Sequence, residues 1–121
     1  MTALAVQWPD ATVEGVKLDY DEARIRVRES GGRTVEVVAG GYIGYETIGF
    51  WDETIVESAS LQSDTDFLRT CLAKVREHNG DPPRESGNAD RNLGSFQALE
   101  IRLIDGARIL CAAAHFESVI V

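Results

Sequence analysis

The side chains that most often carry chemistry are few in this sequence: two histidines, His78 and His115, and two cysteines, Cys71 and Cys111. Cys111 and His115 are four residues apart in an apolar run that reads as a strand, which separates them by ~13 Å. Cys71 and His78 lie two turns apart on a helical pattern, ~10 Å along its axis. A nucleophile and its base must approach to ~3 Å, so neither pair forms a dyad within its own element. Metal ligands usually announce themselves by close spacing such as C-x₂-C, which is absent. Both thiols are therefore expected to be buried, and neither a metal nor a cofactor is expected. Asp52, Glu53 and Glu57 offer carboxylates for acid–base work, but Glu53, Ile55 and Glu57 share one strand face, with the two acids well apart. Gly40-Gly41-Tyr42-Ile43-Gly44 has neither the G-x-G-x-x-G spacing nor the Lys-Ser/Thr of a phosphate loop, and its neighbours are acidic. No catalytic constellation is recognisable, and the reading leans away from an enzyme.

Charge is more informative than these residues. The chain has 121 residues and a net charge of −8, which argues for one domain and against duplex nucleic acid or an anionic bilayer as partner. Arg24, Arg26 and Arg28, with Arg33 and a stacking Trp8 or Tyr20, have the residue types of a single-strand binder. Asp19, Glu22, Glu29 and Glu36 stand ready to neutralise them. A salt-bridged outer strand face is expected, each exposed pair stabilising by only ~0–1 kcal/mol.

From Thr34 to Leu68 there is no Lys or Arg, whereas Glu36, Glu46, Asp52, Glu53, Glu57, Asp64 and Asp66 all lie there. Tyr42, Tyr45, Phe50 and Trp51 share the window. Acids beside aromatics are the composition of a recognition surface for a cationic protein: rings supply anchor area and carboxylates steer association. Tyr42, Tyr45, Glu46, Trp51, Asp52, Glu53 and Glu57 are the candidate contact residues. The competing reading makes the rings core and the acids ordinary solubilising charge.

The elements that must position these residues follow from hydrophobic period. Val16, Leu18 and Tyr20, then Ile25 and Val27, alternate as two strands. A tight connection at Asp21-Glu22 would set Leu18 opposite Ile25 and Asp19 opposite Arg24. The next turn, over Gly31-Gly32-Arg33, pairs Val27 with Val37 and Arg28 with Glu36. Glycine-punctuated extended chain then runs from Tyr42 to Phe50 and from Thr54 to Leu61, implying a bent strand or kinked pair meeting near residues 51–53. Ser63 can cap a helix whose apolar stripe is Phe67, Leu68, Cys71, Leu72 and Val75, stopped by Asn79-Gly80. Asp105-Gly106 predicts a two-residue hairpin with Ile101 opposite Leu110 and Leu99 opposite Ala112. The expected fold is α+β: a curved, mostly antiparallel sheet of six or seven strands, a meander of hairpins, with one helix across its concave face. Residues 1–10 are expected to be a tail and 81–95 a mobile loop.

The stretch Gly41-Tyr42-Ile43-Gly44-Tyr45-Glu46-Thr47-Ile48-Gly49-Phe50-Trp51-Asp52-Glu53 resembles small bacterial proteins, some of them immunity proteins of polymorphic-toxin systems. That resemblance implies a non-enzymatic inhibitor that plugs a basic toxin. The alternative is a small-ligand-binding or oligomeric structural subunit using a pocket between helix and sheet. Val119-Ile120-Val121 could add a strand to a neighbouring subunit, so a homo-oligomer is compatible with the sequence. With two cysteines, no apolar run of ~18 residues and no basic leader in view, a cytoplasmic location is expected.

Overall fold

The computed structural model describes residues 4–49, 54–79 and 96–121. Six strands and one helix follow in the order β1 (Thr12–Leu18), β2 (Glu22–Arg28), β3 (Thr34–Ile48), β4 (Val56–Gln62), α1 (Asp66–Asn79), β5 (Gln97–Leu103) and β6 (Arg108–Ile120). They form a single sheet, β1-β2-β3-β6-β5-β4, antiparallel at every pairing. This is the expected α+β fold with a curved sheet. β6 lies between β3 and β5, which explains why its first half is apolar on both sides.

The sheet curls until its two edges meet at one corner. Thr12 of β1 bridges Ile55 just before β4. Val13 N–H donates to the Thr54 carbonyl at 2.9 Å, and Val56 N–H donates to that of Ala11 at 2.7 Å. The concave face encloses the main core, where Ile25, Val27, Val37, Val56, Leu99, Ile101, Leu103 and Ile109 pack together. Each such aliphatic side chain stabilises the fold by ~1.5–3 kcal/mol.

The helix is on the other face. The expectation that α1 crosses the concave side is corrected, because that interior is already filled by the strands' own side chains. Gln62, Ala98, Ala112 and Gly44 form one row across β4, β5, β6 and β3, on the convex face. Gly44 and the alanines at 98 and 112 let the helix sit close, and Leu68, Cys71 and Leu72 pack on Ala98 and Ala112. Gly44 is the tightest point: a Cβ there would lie 2.2 Å from Cys71 Sγ. The helix begins one residue after Thr65, whose hydroxyl accepts from Leu68 N–H at 3.1 Å. Thr65, not Ser63, is the cap.

All three hairpin registers differ from those expected, and for related reasons. β1 and β2 pair Val16 with Ile25 and Lys17 with Arg24, because the turn is Tyr20-Asp21, closed by Asp19 N–H on the Glu22 carbonyl. β2 and β3 pair Val27 with Val35 and Arg26 with Glu36. The loop is Ser30-Gly31-Gly32, with Glu29 N–H on the Arg33 carbonyl and Gly32 N–H returning to Glu29. The last hairpin repeats that construction over Ile104-Asp105-Gly106: Leu103 N–H donates to Ala107, and Gly106 N–H to Leu103. Gly32 at φ 101° and Gly106 at φ 92° supply the left-handed residue such a three-residue loop requires. Ile101 therefore faces Ile109, and Leu99 faces Cys111. The first two slips are by two residues and keep each apolar face. The last is by one, and it decides which β6 residues enter the core.

Residues 4–10 have no strand or helix, yet Leu4, Val6 and Trp8 pack against the main core. Glu29, 6% exposed, is the buried acid that holds this segment. Its carboxylate accepts from Gln7 N–H at 2.9 Å and from both Arg33 Nε and Nη2 at 2.8 Å. Arg33 Nη2 also donates to the Ala5 carbonyl at 3.2 Å. The proposed mobile loop, 81–95, lies outside the described residues.

Candidate partner-binding surface

Successive residues of a strand point to opposite faces, and this decides the fate of the acidic–aromatic segment. Tyr45 opposes Cys111 and, like Tyr42 and Phe116, packs against the cluster of Ala23, Ala39, Cys111 and Ala113. Its hydroxyl is pushed above the usual phenol range chiefly by burial, with the Cys111 thiol adding to it. Tyr45 is thus half-buried against the core side of β3, on the face opposite Glu46. Glu46, next in sequence, opposes Leu110 and is exposed on the helix-bearing side. Glu57 is exposed on β4, two intervening strands away, a separation of ~14 Å. Between them lie Arg102 and Arg108, both within reach of Glu100. Glu46 and Glu57 therefore share no single acidic patch. Trp51, Asp52 and Glu53 lie outside the described residues.

Tyr42 has a different task. Its hydroxyl donates to the Asp19 carbonyl at 2.9 Å, and the neighbouring Gly41 N–H donates to the Asp21 carbonyl at 2.8 Å. The first reaches past β2 to the β1 side of the turn and the second extends the β2–β3 pairing by one residue, so both brace the β1–β2 turn. Gly41 does so from a left-handed conformation, φ 62°. The Asp19 N–H bond to Glu22 adds a third anchor. The braced turn carries Asp19, Tyr20 and Asp21, all exposed, with the Tyr20 ring fully in solvent and Leu18 about half so. An aromatic ring between two carboxylates on a fixed turn is the chemistry expected of the 42–57 segment, found instead on the turn that Tyr42 supports. The sequence signal was Asp19-Tyr20-Asp21-Glu22, three acids around a tyrosine. Placing the turn one residue late, at Asp21-Glu22, hid it by counting Tyr20 as a strand residue.

The arginine row is neutralised. Arg24 bonds Glu22 at 2.6 Å and Glu36 at 3.0 Å, Arg26 bonds Glu36 at 3.0 Å, and Arg28 meets Glu14 at 3.5 Å. Arg26 first, then Arg24, holds the Glu36 carboxyl below its usual range. Asp19, expected opposite Arg24, faces solvent at the turn instead.

The thiols are poor nucleophiles. Burial pushes the Cys111 thiol up to about 12, with Cys71 contributing, and raises Cys71 as well, with Glu46 a lesser cause. His115 is exposed, its ring lying over Gly40, where a Cβ would come within 2.3 Å of Nε2. The side chain of His78 lies outside the described residues. Among the described residues, no three His, Cys, Asp or Glu side chains converge on a point where a metal could sit. Between the start of α1 and the sheet runs an open groove lined by Gln62, Phe67, Glu100, Arg108 and Leu110. No described helix is long and apolar enough to cross a membrane.

No family model matches this sequence, and no curated protein or solved structure matches it either.

Proposed function

We propose that this domain is a non-enzymatic binding protein that docks a cationic protein partner, and that Asp19, Tyr20 and Asp21 are its principal contacts. The supporting observation is a fully exposed tyrosine flanked by two acids on a turn anchored from β3. A solvated aromatic ring costs nothing to keep if a partner covers it, and a braced turn loses little entropy on binding. The carboxylates steer a basic surface toward the ring and fix its register. Immunity-type inhibition of a basic toxin is one form this activity takes, with the acidic tip entering the toxin's cationic cleft.

Capture from a lysate of the source cell, at low and high salt, tests the proposal. Asp19→Lys/Asp21→Lys and Tyr20→Ala variants should each lose the captured basic protein, with Tyr20→Ala weakening binding by at least ~10-fold. Glu57→Lys should retain it. Loss with Asp52→Lys/Glu53→Lys but not with the tip variants would move the contact to the 42–57 segment. Equal capture by every variant would sink the proposal.

A further inference from the structure

β6 is longer than the strand beside it. β5 pairs with it only up to Ala113, opposite Gln97, whereas β3 accompanies it to Ile120. Along 115–121 no described residue pairs with the backbone of β6 on the side away from β3, although Ala5 N–H donates to the Ser118 side-chain hydroxyl at 3.2 Å. This edge carries three exposed aliphatic side chains in succession, Val119 at 45%, Ile120 at 64% and Val121 at 61%. A strand edge that is unpaired among the described residues and carries apolar side chains is a template for another strand.

The backbone specifies what fits there. Val121 N–H donates to the Thr34 carbonyl at 3.0 Å, and the pairing with β3 is unbroken from Val35–Ile120 to Gly40–His115. Odd-numbered residues over this stretch therefore aim their N–H and C=O groups at β3, and even-numbered ones aim theirs outward. A second copy of the same edge, laid antiparallel about a two-fold axis, must match even to even. An axis at Phe116 drives the copy's Val119 onto Ala113, a place taken by Gln97 of β5. An axis at Glu117 puts two carboxylates face to face. An axis at Ser118 has neither fault: residues 115–121 pair with 121–115, Phe116 covers the partner's Ile120, and Glu117 lies beside the partner's Val119.

We propose that two copies of this chain associate through β6, antiparallel about Ser118, making one continuous sheet of their two sheets. The edge matches itself in hydrogen-bond phase, and this register keeps the two Glu117 carboxylates from facing each other. The contact is separate from the Tyr20 turn, so it stands or falls independently of the partner-docking proposal.

Cysteine scanning in the intact chain reads the register. Opposed residues on antiparallel strands have Cα atoms ~5.5 Å apart in hydrogen-bonded pairs and ~4.5 Å in the others, both suitable for a disulfide. Ser118→Cys should cross-link to a dimer under mild oxidation. A mixture of Glu117→Cys with Val119→Cys should cross-link faster than either alone. Ser58→Cys, exposed on β4, is the control for random collision. Sedimentation equilibrium should show a concentration-dependent dimer that Ile120→Lys weakens at least ~10-fold, with unchanged circular dichroism. A monomer at every concentration would overturn the inference. So would cross-linking at residue 118 no faster than at residue 58, or a dimer indifferent to Ile120→Lys.

Discussion

The two halves of the sheet solve the same problem differently. The meander β1–β2–β3 shows its convex face to water and covers it with arginines bonded to Glu14, Glu22 and Glu36. The rest of the sheet, β4, β5, β6 and the end of β3 from Tyr42 to Ile48, carries α1 on that face, laid on small residues of which Gly44 of β3 is the most constrained. Where side chains are long and charged, a helix has no apolar surface to bury. Where glycine and alanine line a row, it can come close enough to exclude water. Stability should therefore respond steeply to small changes under the helix and weakly to large changes on the arginine face.

Leu68→Ala, 2% exposed in the helix contact, is expected to destabilise by ~2–5 kcal/mol in chemical denaturation, as buried leucines do. Gly44→Ala should follow at ~1–3 kcal/mol, because its methyl meets Cys71 Sγ. Cys71→Ala in the same chain should recover most of that loss; failure to do so would mean that the helix is not seated where described. Thr65→Ala should cost ~1 kcal/mol through the lost cap. On the opposite half, Arg26→Ala should cost no more than ~1 kcal/mol despite its bonds to Glu36. A larger effect would show that the arginine face is more than a solvated lattice of weak pairs.

Two titrations sharpen the contrast between buried and exposed groups. Arg33, and then the Gln7 amide, hold Glu29 below the usual carboxylate range. Its contribution is thus complete above that range and is lost as pH falls through the lowered folded value. In a Trp51→Phe background, Trp8 fluorescence should report release of residues 4–8 on acidification, and Glu29→Gln should release them at neutral pH. Cys111 behaves in the opposite sense: its neutral thiol supports the fold below the ordinary thiol range, and that support is lost as pH rises toward about 12. Alkylation of the native protein at pH 8 should leave Cys111 unmodified until denaturant is added.

Much of this was legible in the chain. Strand alternation, the apolar β6 and the stripe Phe67, Leu68, Cys71 and Leu72 all lie where hydrophobic period puts them. The acid–arginine pairing was legible too, because alternating Arg24, Arg26 and Arg28 must share one strand face. Registers were not. A two-residue turn and a three-residue turn with a left-handed glycine differ only in local backbone geometry, and Asp105-Gly106 is compatible with both. Because Tyr45 and Glu46 sit on opposite faces of β3, an acidic–aromatic segment in one dimension could not become one surface in three.

Amino-acid order alone determined which segments are extended, where the helix runs and that negative charge dominates. These depend on local period and composition, which need no distant partner. Only the tertiary structure decided which sheet face the helix takes, that Tyr42 braces a turn made more than twenty residues earlier, and that Glu29 anchors residues 4–8. Those outcomes depend on how far the sheet curls, and curl is a property of all six strands together.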